Sequence, residues 1–178
     1  MSASPIDLLH EWRDFFALIG GAAAALVGAM FVVVSIGMGF FNRGHGSAIG
    51  SFLTQTVFHL SAVIVLCAFT MVPSLDWTWF GAGLIAGALV GLAYSVMVMR
   101  DVARRRELEL VDHFWYGAAP VTGHLFVLAA GVMALERVSF VLEILAFAMV
   151  LLVIGGIRNS WDMIVFLVTR EKSQGDAT

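Results

Sequence analysis

From Phe15 to Phe41 the chain carries no charged side chain. At a rise of about 1.5 Å per residue, a helix of that length exceeds the roughly 30 Å hydrocarbon thickness of a bilayer. Nothing inside a bilayer can hydrogen-bond an exposed peptide group, so a run of this kind must satisfy its own backbone as a helix. Transmembrane strands would alternate polar and apolar residues over about ten positions, and this run does not alternate. Further apolar runs at 49–72, 79–99, 115–135 and 138–157 have the same character. The expected fold is therefore all-α: a polytopic transmembrane bundle of about five spans, with residues 1–178 forming a single membrane domain.

Composition agrees. The chain is 60% hydrophobic and 13% charged, with a mean hydropathy of +0.93, whereas soluble domains are about half apolar and a quarter charged. Its principal partner is the lipid bilayer. A net charge of -3 leaves no footprint for nucleic acid. The single cysteine, Cys67, lies in an apolar run, excludes an intramolecular disulfide and reads as packing. The N-terminus lacks a charged leader and a small-residue cleavage site, so the first run reads as a retained span.

Punctuation between the runs is clear. Ser4, Pro5 and Asp7 form a helix start, and Ile6, Leu8, Leu9, Trp12 and Phe16 share a face, which predicts an interfacial helix over 1–14. Asn42 to Gly46 is a turn, and Pro73 with Asp76, Trp77 and Trp79 forms an aromatic loop suited to headgroups. Arg100, Arg104, Arg105 and Arg106 end the third span, and a polar connector leads to Phe114-Trp115-Tyr116. Pro120 bends the fourth span or marks its first turn. Glu136-Arg137 makes the last hairpin, and residues 158–178 form an inner-side tail. The apolar stretch in that tail, ending near Thr169, reads as a continuation of the fifth helix or an interfacial segment.

Orientation follows from Lys and Arg. Arg13 and Arg137 fall on one side, while Arg43, Arg100, Arg104, Arg105, Arg106, Arg158, Arg170 and Lys172 fall on the other. The positive-inside bias then places the N-terminus outside and the C-terminus inside.

A weak internal repeat overlays the first and third spans. Gly20, Ala24 and Gly28 fall on Gly83, Gly87 and Gly91, and His59-Leu60 falls on His124-Leu125 at nearly the same offset. A two-helix unit used twice in parallel, with a fifth helix added, would place a pseudo-twofold along the membrane normal; chance recurrence of small residues explains the pattern equally. The ridge Gly83, Gly87, Gly91 lets another backbone approach closely, for internal packing against the first span's small ridge or for oligomerisation.

Ionisable groups inside a bilayer are expensive and normally face a bundle interior or a watery cavity. Three qualify: His59, His124 and Glu143. The histidines lie at nearly equal depth, and Glu143 lies roughly two turns nearer the outer face. Ser51, Gln55 and His59 repeat every four residues, and Tyr94 with Ser95 falls at the level of His59 and Thr56 across the hairpin. Hydroxyls, an amide, imidazoles and a carboxylate together suit a proton or small-cation route. The plainer alternative is that these groups bond neighbouring helices and hold the bundle together. Paired histidines at one depth also suit axial ligation of a b-type haem, for which Gly123 beside His124 would leave room. His10 and Asp14 stand one turn apart and could share a divalent metal, or form a solvated helix face. No second histidine completes a zinc-protease signature, and no nucleophile elbow, phosphate-binding glycine loop or cysteine pair is present, so no catalytic residue is assigned.

Trp12-x-x-Phe15-Phe16, the segment from Gly20 to Ser35, and Arg158-Asn159-Ser160-Trp161-Asp162 resemble features of small multi-pass bacterial inner-membrane proteins without a settled activity. That resemblance implies a bacterial inner-membrane address and no catalysis. The expected function is thus a homo-oligomeric membrane protein with a polar intramembrane route. The alternatives are a non-enzymatic accessory subunit docking a membrane-protein partner, and a haem-binding electron-transfer unit.

Overall fold

The computed structural model describes residues 9–41, 46–73, 75–103 and 114–175. Among them every regular element is a helix: α1 (Arg13–Phe41), α2 (Gly46–Thr70), α3 (Trp77–Ala103), a π-helical turn (Phe114–Ala118) leading into α4 (Ala119–Leu135), and α5 (Val141–Gly175). The segments Arg13–Val32, Trp77–Asp101, Phe114–Leu135 and Val141–Asp162 are each long and apolar enough to cross a bilayer, and α2 contributes the shorter apolar stretch Thr54–Thr70. The helical membrane bundle expected from the apolar runs is the fold. The helix start at Ser4, Pro5 and Asp7, the turn around Arg43, and the arginine cluster 104–106 with its connector lie outside the described residues, as does the side chain of Ser51.

Two antiparallel hairpins, α1–α2 and α3–α4, each pack on themselves, and α5 holds them together through contacts with α4, α2 and α1. The α2–α3 and α4–α5 turns lie at one end of the bundle, its hairpin end. The opposite end, near Arg100 and Arg158, is the arginine end.

Local chemistry explains the joints. α2 closes with the Thr70 hydroxyl donating to the Cys67 carbonyl at 2.7 Å, and Pro73 follows two residues after Met71. Asp76 caps α3: its Oδ1 accepts the Trp79 amide at 2.8 Å, satisfying a donor that has no partner within the helix. At the end of α4, Arg137 adopts φ 55°. The Arg137 amide donates to the Ala134 carbonyl at 3.1 Å and the Val138 amide to the Met133 carbonyl at 3.0 Å. This is a Schellman closure with arginine where glycine is usual.

Pro120 occupies the second position of α4, so it marks the first α-turn, directly after the π-helical turn. Lacking an N–H, proline cannot serve the carbonyl four residues earlier, that of Tyr116. Gln55 Nε2 donates to that carbonyl at 2.6 Å instead.

α5 continues past Ile157, the expected end of its span, to Gly175. No glycine or proline interrupts residues 157–174, and Arg158 bridges Asp162 at 3.0 Å one turn on, which supports the helix across the polar boundary. At about 1.5 Å per residue α5 is roughly 52 Å long, so its last turns extend beyond the arginine end. The stretch left open between helix and interfacial segment is helix.

The glycines of α3 are filled from α2 and α4. A Cβ at Gly83 would collide with Phe69, one at Gly87 would stand 3.3 Å from Leu66, and one at Gly91 would overlap the His124 ring. The expected partner ridge on α1 behaves differently: Gly20 faces Cys67 of α2, Ala24 is exposed, and a Cβ at Gly28 would meet nothing within 4 Å. Packing at these glycines therefore does not repeat between the hairpins. Leu60 is buried whereas Leu125, its counterpart in the overlay, is half exposed. α3 and α4 also cross closely at Gly81 and Gly131, where a Cβ on Gly81 would approach the Gly131 carbonyl to 2.8 Å.

Candidate functional site: a buried histidine pair

His59 of α2 and His124 of α4 meet in the middle of the bundle. Their ring centroids lie 5.3 Å apart, with the planes inclined at 50°. Each stands 11 residues from the hairpin end of its helix, about 16 Å along the axis. Helical phase brings them together: α2 turns His59 inward with Gln55, Thr56, Leu60 and Val63, and α4 turns His124 inward with Pro120, Gly123 and Val127.

His124 is fixed by two contacts. Its Nδ1 lies 2.8 Å from the Pro120 carbonyl, which can only accept, so Nδ1 carries the hydrogen. In the neutral ring, Nε2 then presents a lone pair. That nitrogen is buried without a hydrogen-bond partner. Gly91 supplies the space for this edge of the ring, because any side chain there would occupy it. Ser95 donates its hydroxyl to the Gly91 carbonyl at 2.7 Å and lies 3.4 Å from His124 Nδ1, a contact at the limit of hydrogen bonding.

His59 is held by shape alone. Tyr94 lies 5.9 Å from its ring, and the Tyr94 ring is packed against Phe58 at 4.0 Å. Both His59 nitrogens are buried and unpartnered. Beside the ring is a cavity of about 10 Å³, lined by Thr56, His59, Pro120, Leu151, Leu152, Gly155, Gly156 and Asn159. That is the size of a site for one water molecule. The Oδ1 of Asn159 is also buried and unpartnered.

Beyond Asn159 toward the arginine end, Asp162 accepts the Tyr116 hydroxyl at 2.6 Å and the Arg158 Nε–H at 3.0 Å. Polar groups thus extend from that end to the histidines. Toward the hairpin end the interior is apolar: Val63, Leu66, Val127, Ala130, Leu145 and Met149 are all buried there.

No family model, curated protein or solved structure matches this chain.

The sequence-derived residues divide as follows. His59, His124 and Tyr94 are brought together. Gln55 is buried beside them, but its amide serves the Tyr116 carbonyl. Glu143 is exposed in the first turn of α5 and stands roughly 13 Å nearer the hairpin end than the pair, so the structure does not join it to the histidines. His10 and Asp14 are both exposed, and among the described residues no group of three His, Cys, Asp or Glu side chains converges. A porphyrin between His59 and His124 would require the rings to separate and the α2–α4 contact to open, since the adjoining space is about 10 Å³.

Asn159 was not among the sequence-derived site residues. A span ending at Ile157 leaves it outside the bundle, and only the unbroken α5 brings it to the cavity. The signal available was the absence of a helix breaker after Gly156.

Proposed function

We propose that this chain is a proton-translocating membrane protein whose proton-carrying groups are His59 and His124, working as a homo-oligomer in a bacterial inner membrane. The segregation of Lys and Arg supports an arginine end at the cytoplasmic face. The observation that carries the reading is the contact of two imidazoles in a buried core with three of their four nitrogens unpartnered. Imidazole is the side chain whose ordinary proton affinity permits exchange near neutral pH. A group that served only as glue between helices would be hydrogen-bonded.

A proton suits the site better than a metal cation. Hard cations take about six or more oxygen ligands, and this cavity is walled largely by Leu151, Leu152, Gly155 and Gly156. Protons reach His59 from the arginine end, past Asp162 and Asn159, and exchange with the Nε2 lone pair of His124. Two adjacent imidazolium ions repel, so the pair carries one proton at a time. The apolar plug around Val63, Leu66, Leu145 and Met149 closes the other side, and release there needs a rearrangement of the helices.

The test is proton flux into proteoliposomes containing a trapped pH dye. His59→Ala and His124→Ala should each abolish flux, while Glu143→Gln leaves it at the wild-type level. Wild-type vesicles that behave like empty ones would overturn the proposal.

A second reading, an accessory subunit, draws on the outer faces of the bundle. Gly21 and Gly28 of α1 face open space, and α3 exposes Leu89, Val90 and Met97 next to Arg100. A partner helix would cover such a face; a detergent pull-down that returns the bait alone counts against it.

A further inference from the structure

We infer that the cavity between α2, α4 and α5 binds a single water molecule, and that Asn159 positions this water as the immediate proton donor and acceptor for His59. The inference rests on the reading of His59 as a proton carrier and adds the group through which the proton arrives.

Three observations converge on one point. The space is about 10 Å³, enough for one water and too small for an organic cation. His59 and Asn159 both line it, and both are more than nine-tenths buried. His59 Nδ1 and Nε2 and Asn159 Oδ1 have no hydrogen-bond partner. A buried water normally makes about three hydrogen bonds to groups that would otherwise be unsatisfied. Here one water hydrogen donates to Asn159 Oδ1. The water then exchanges a proton with the facing His59 nitrogen, donating to it when that nitrogen is bare and accepting from it when protonated. When the water passes its second hydrogen to His59, the hydroxide left behind takes up a proton that enters from bulk water at the arginine end. No net bond is made or lost in the wall. Leu151 and Leu152 offer the water no partner, and Thr56, which also lines the space, already has an interaction of its own, whereas Asn159 Oδ1 and the His59 nitrogens have none.

Gly155 makes the inference testable without damage to the fold. It is buried, it lines the cavity, and among the described residues a Cβ placed on it would meet nothing within 4 Å. Gly155→Ala therefore puts a methyl group into the open space, and alanine is also the better helix former. It removes room for the water while leaving His59, His124 and Asn159 in place.

The experiment uses the full chain, labelled with ¹⁵N-histidine, in lipid bilayers. Solid-state NMR measures polarisation transfer from water to the imidazole nitrogens, with His59→Ala assigning the resonances, and proton flux is measured on the same preparations. In the wild type, transfer to His59 should be strong. Gly155→Ala and Asn159→Leu should each weaken it several-fold, with unfolding of Gly155→Ala no easier than wild type. Flux should fall at least about tenfold with Asn159→Leu, which only loses the positioning of the water, and by up to the roughly 10²–10⁴ of a proton-transferring group with Gly155→Ala, which removes the water itself. A wild-type His59 that receives no polarisation from water, or Gly155→Ala with undiminished transfer, overturns the inference. Strong transfer in the wild type that Gly155→Ala abolishes, in vesicles that pass no protons, supports the water site and removes the transport function instead. Flux in a protein whose His59 receives no polarisation from water removes this inference alone.

Discussion

Gly91→Ala probes the bundle where the site is most tightly enclosed. An added methyl would overlap Cδ2 and Nε2 of the His124 ring, whereas non-bonded heavy atoms settle at about 3.5–4.0 Å. The ring must therefore withdraw, or α3 and α4 must part. Withdrawal breaks the 2.8 Å bond from Nδ1 to the Pro120 carbonyl and leaves both groups buried, at about 1–3 kcal/mol. Strain from overpacking adds about 1–3 kcal/mol. Alanine's advantage over glycine in a helix returns about 1 kcal/mol. The net destabilisation is about 3 kcal/mol. In a His124→Ala background the obstacle is gone, and the same substitution should be neutral or slightly stabilising. A double-mutant cycle, read by SDS-induced unfolding in mixed micelles with tryptophan fluorescence, should give a coupling of about 3 kcal/mol or more, far above the roughly 0.3–0.5 kcal/mol within which independent sites add. Equal effects of Gly91→Ala in the two backgrounds would show that Gly91 does not make the slot for the imidazole.

Gln55→Leu should destabilise the bundle by about 1–3 kcal/mol in the same assay, because the Tyr116 carbonyl loses its 2.6 Å donor; adding Pro120→Ala, which returns an N–H to the turn, should recover part of the loss. Arg137→Gly should stabilise by about 1 kcal/mol, since φ 55° is strained for a residue with a Cβ and free for glycine; an unchanged midpoint would be inconsistent with that geometry. Asp76→Ala should cost about 1 kcal/mol and speed hydrogen exchange at the Trp79 amide, which would lose the 2.8 Å cap.

Where the sequence was legible, a single physical rule governed the outcome. Backbone hydrogen bonding in hydrocarbon allows one solution to a run such as Phe15 to Phe41, so the helices and the turns at Pro73 and Glu136 could be read directly. The depth of His59 and His124 was equally legible, because rise per residue converts chain position into height. Azimuth was harder. Hydropathy is nearly uniform around these helices, so nothing in the sequence says that Gln55 turns to the Tyr116 carbonyl or that Glu143 turns outward. The glycines show the same limit: Gly91 accommodates a ring and Gly81 a backbone, and a Gly-x-x-x-Gly spacing does not distinguish the two. Asn159 was missed because Arg158 and Asp162 look like the end of a span, whereas their ion pair carries the helix through it.

The placement of unsatisfied groups bears on why the centre is polar at all. Elsewhere this bundle meets its hydrogen-bonding needs closely: Asp76 caps α3, Gln55 serves the carbonyl that Pro120 cannot, and Arg137 accepts an unfavourable φ so that α4 can close. Among the described residues, the buried side-chain atoms without partners are His59 Nδ1 and Nε2, His124 Nε2 and Asn159 Oδ1. Each such atom costs about 1–3 kcal/mol of desolvation, so apolar side chains of similar shape would give a more stable bundle. Stability therefore does not account for this centre, whereas Gln55 is what a structural polar residue looks like. The unsatisfied atoms are also gathered on the arginine side of Val63, Leu66, Leu145 and Met149 rather than scattered. Under the proposed function this asymmetry would matter, because a polar path continuous through the bundle would leak protons in every conformation, and the buried apolar side chains on the hairpin side interrupt it.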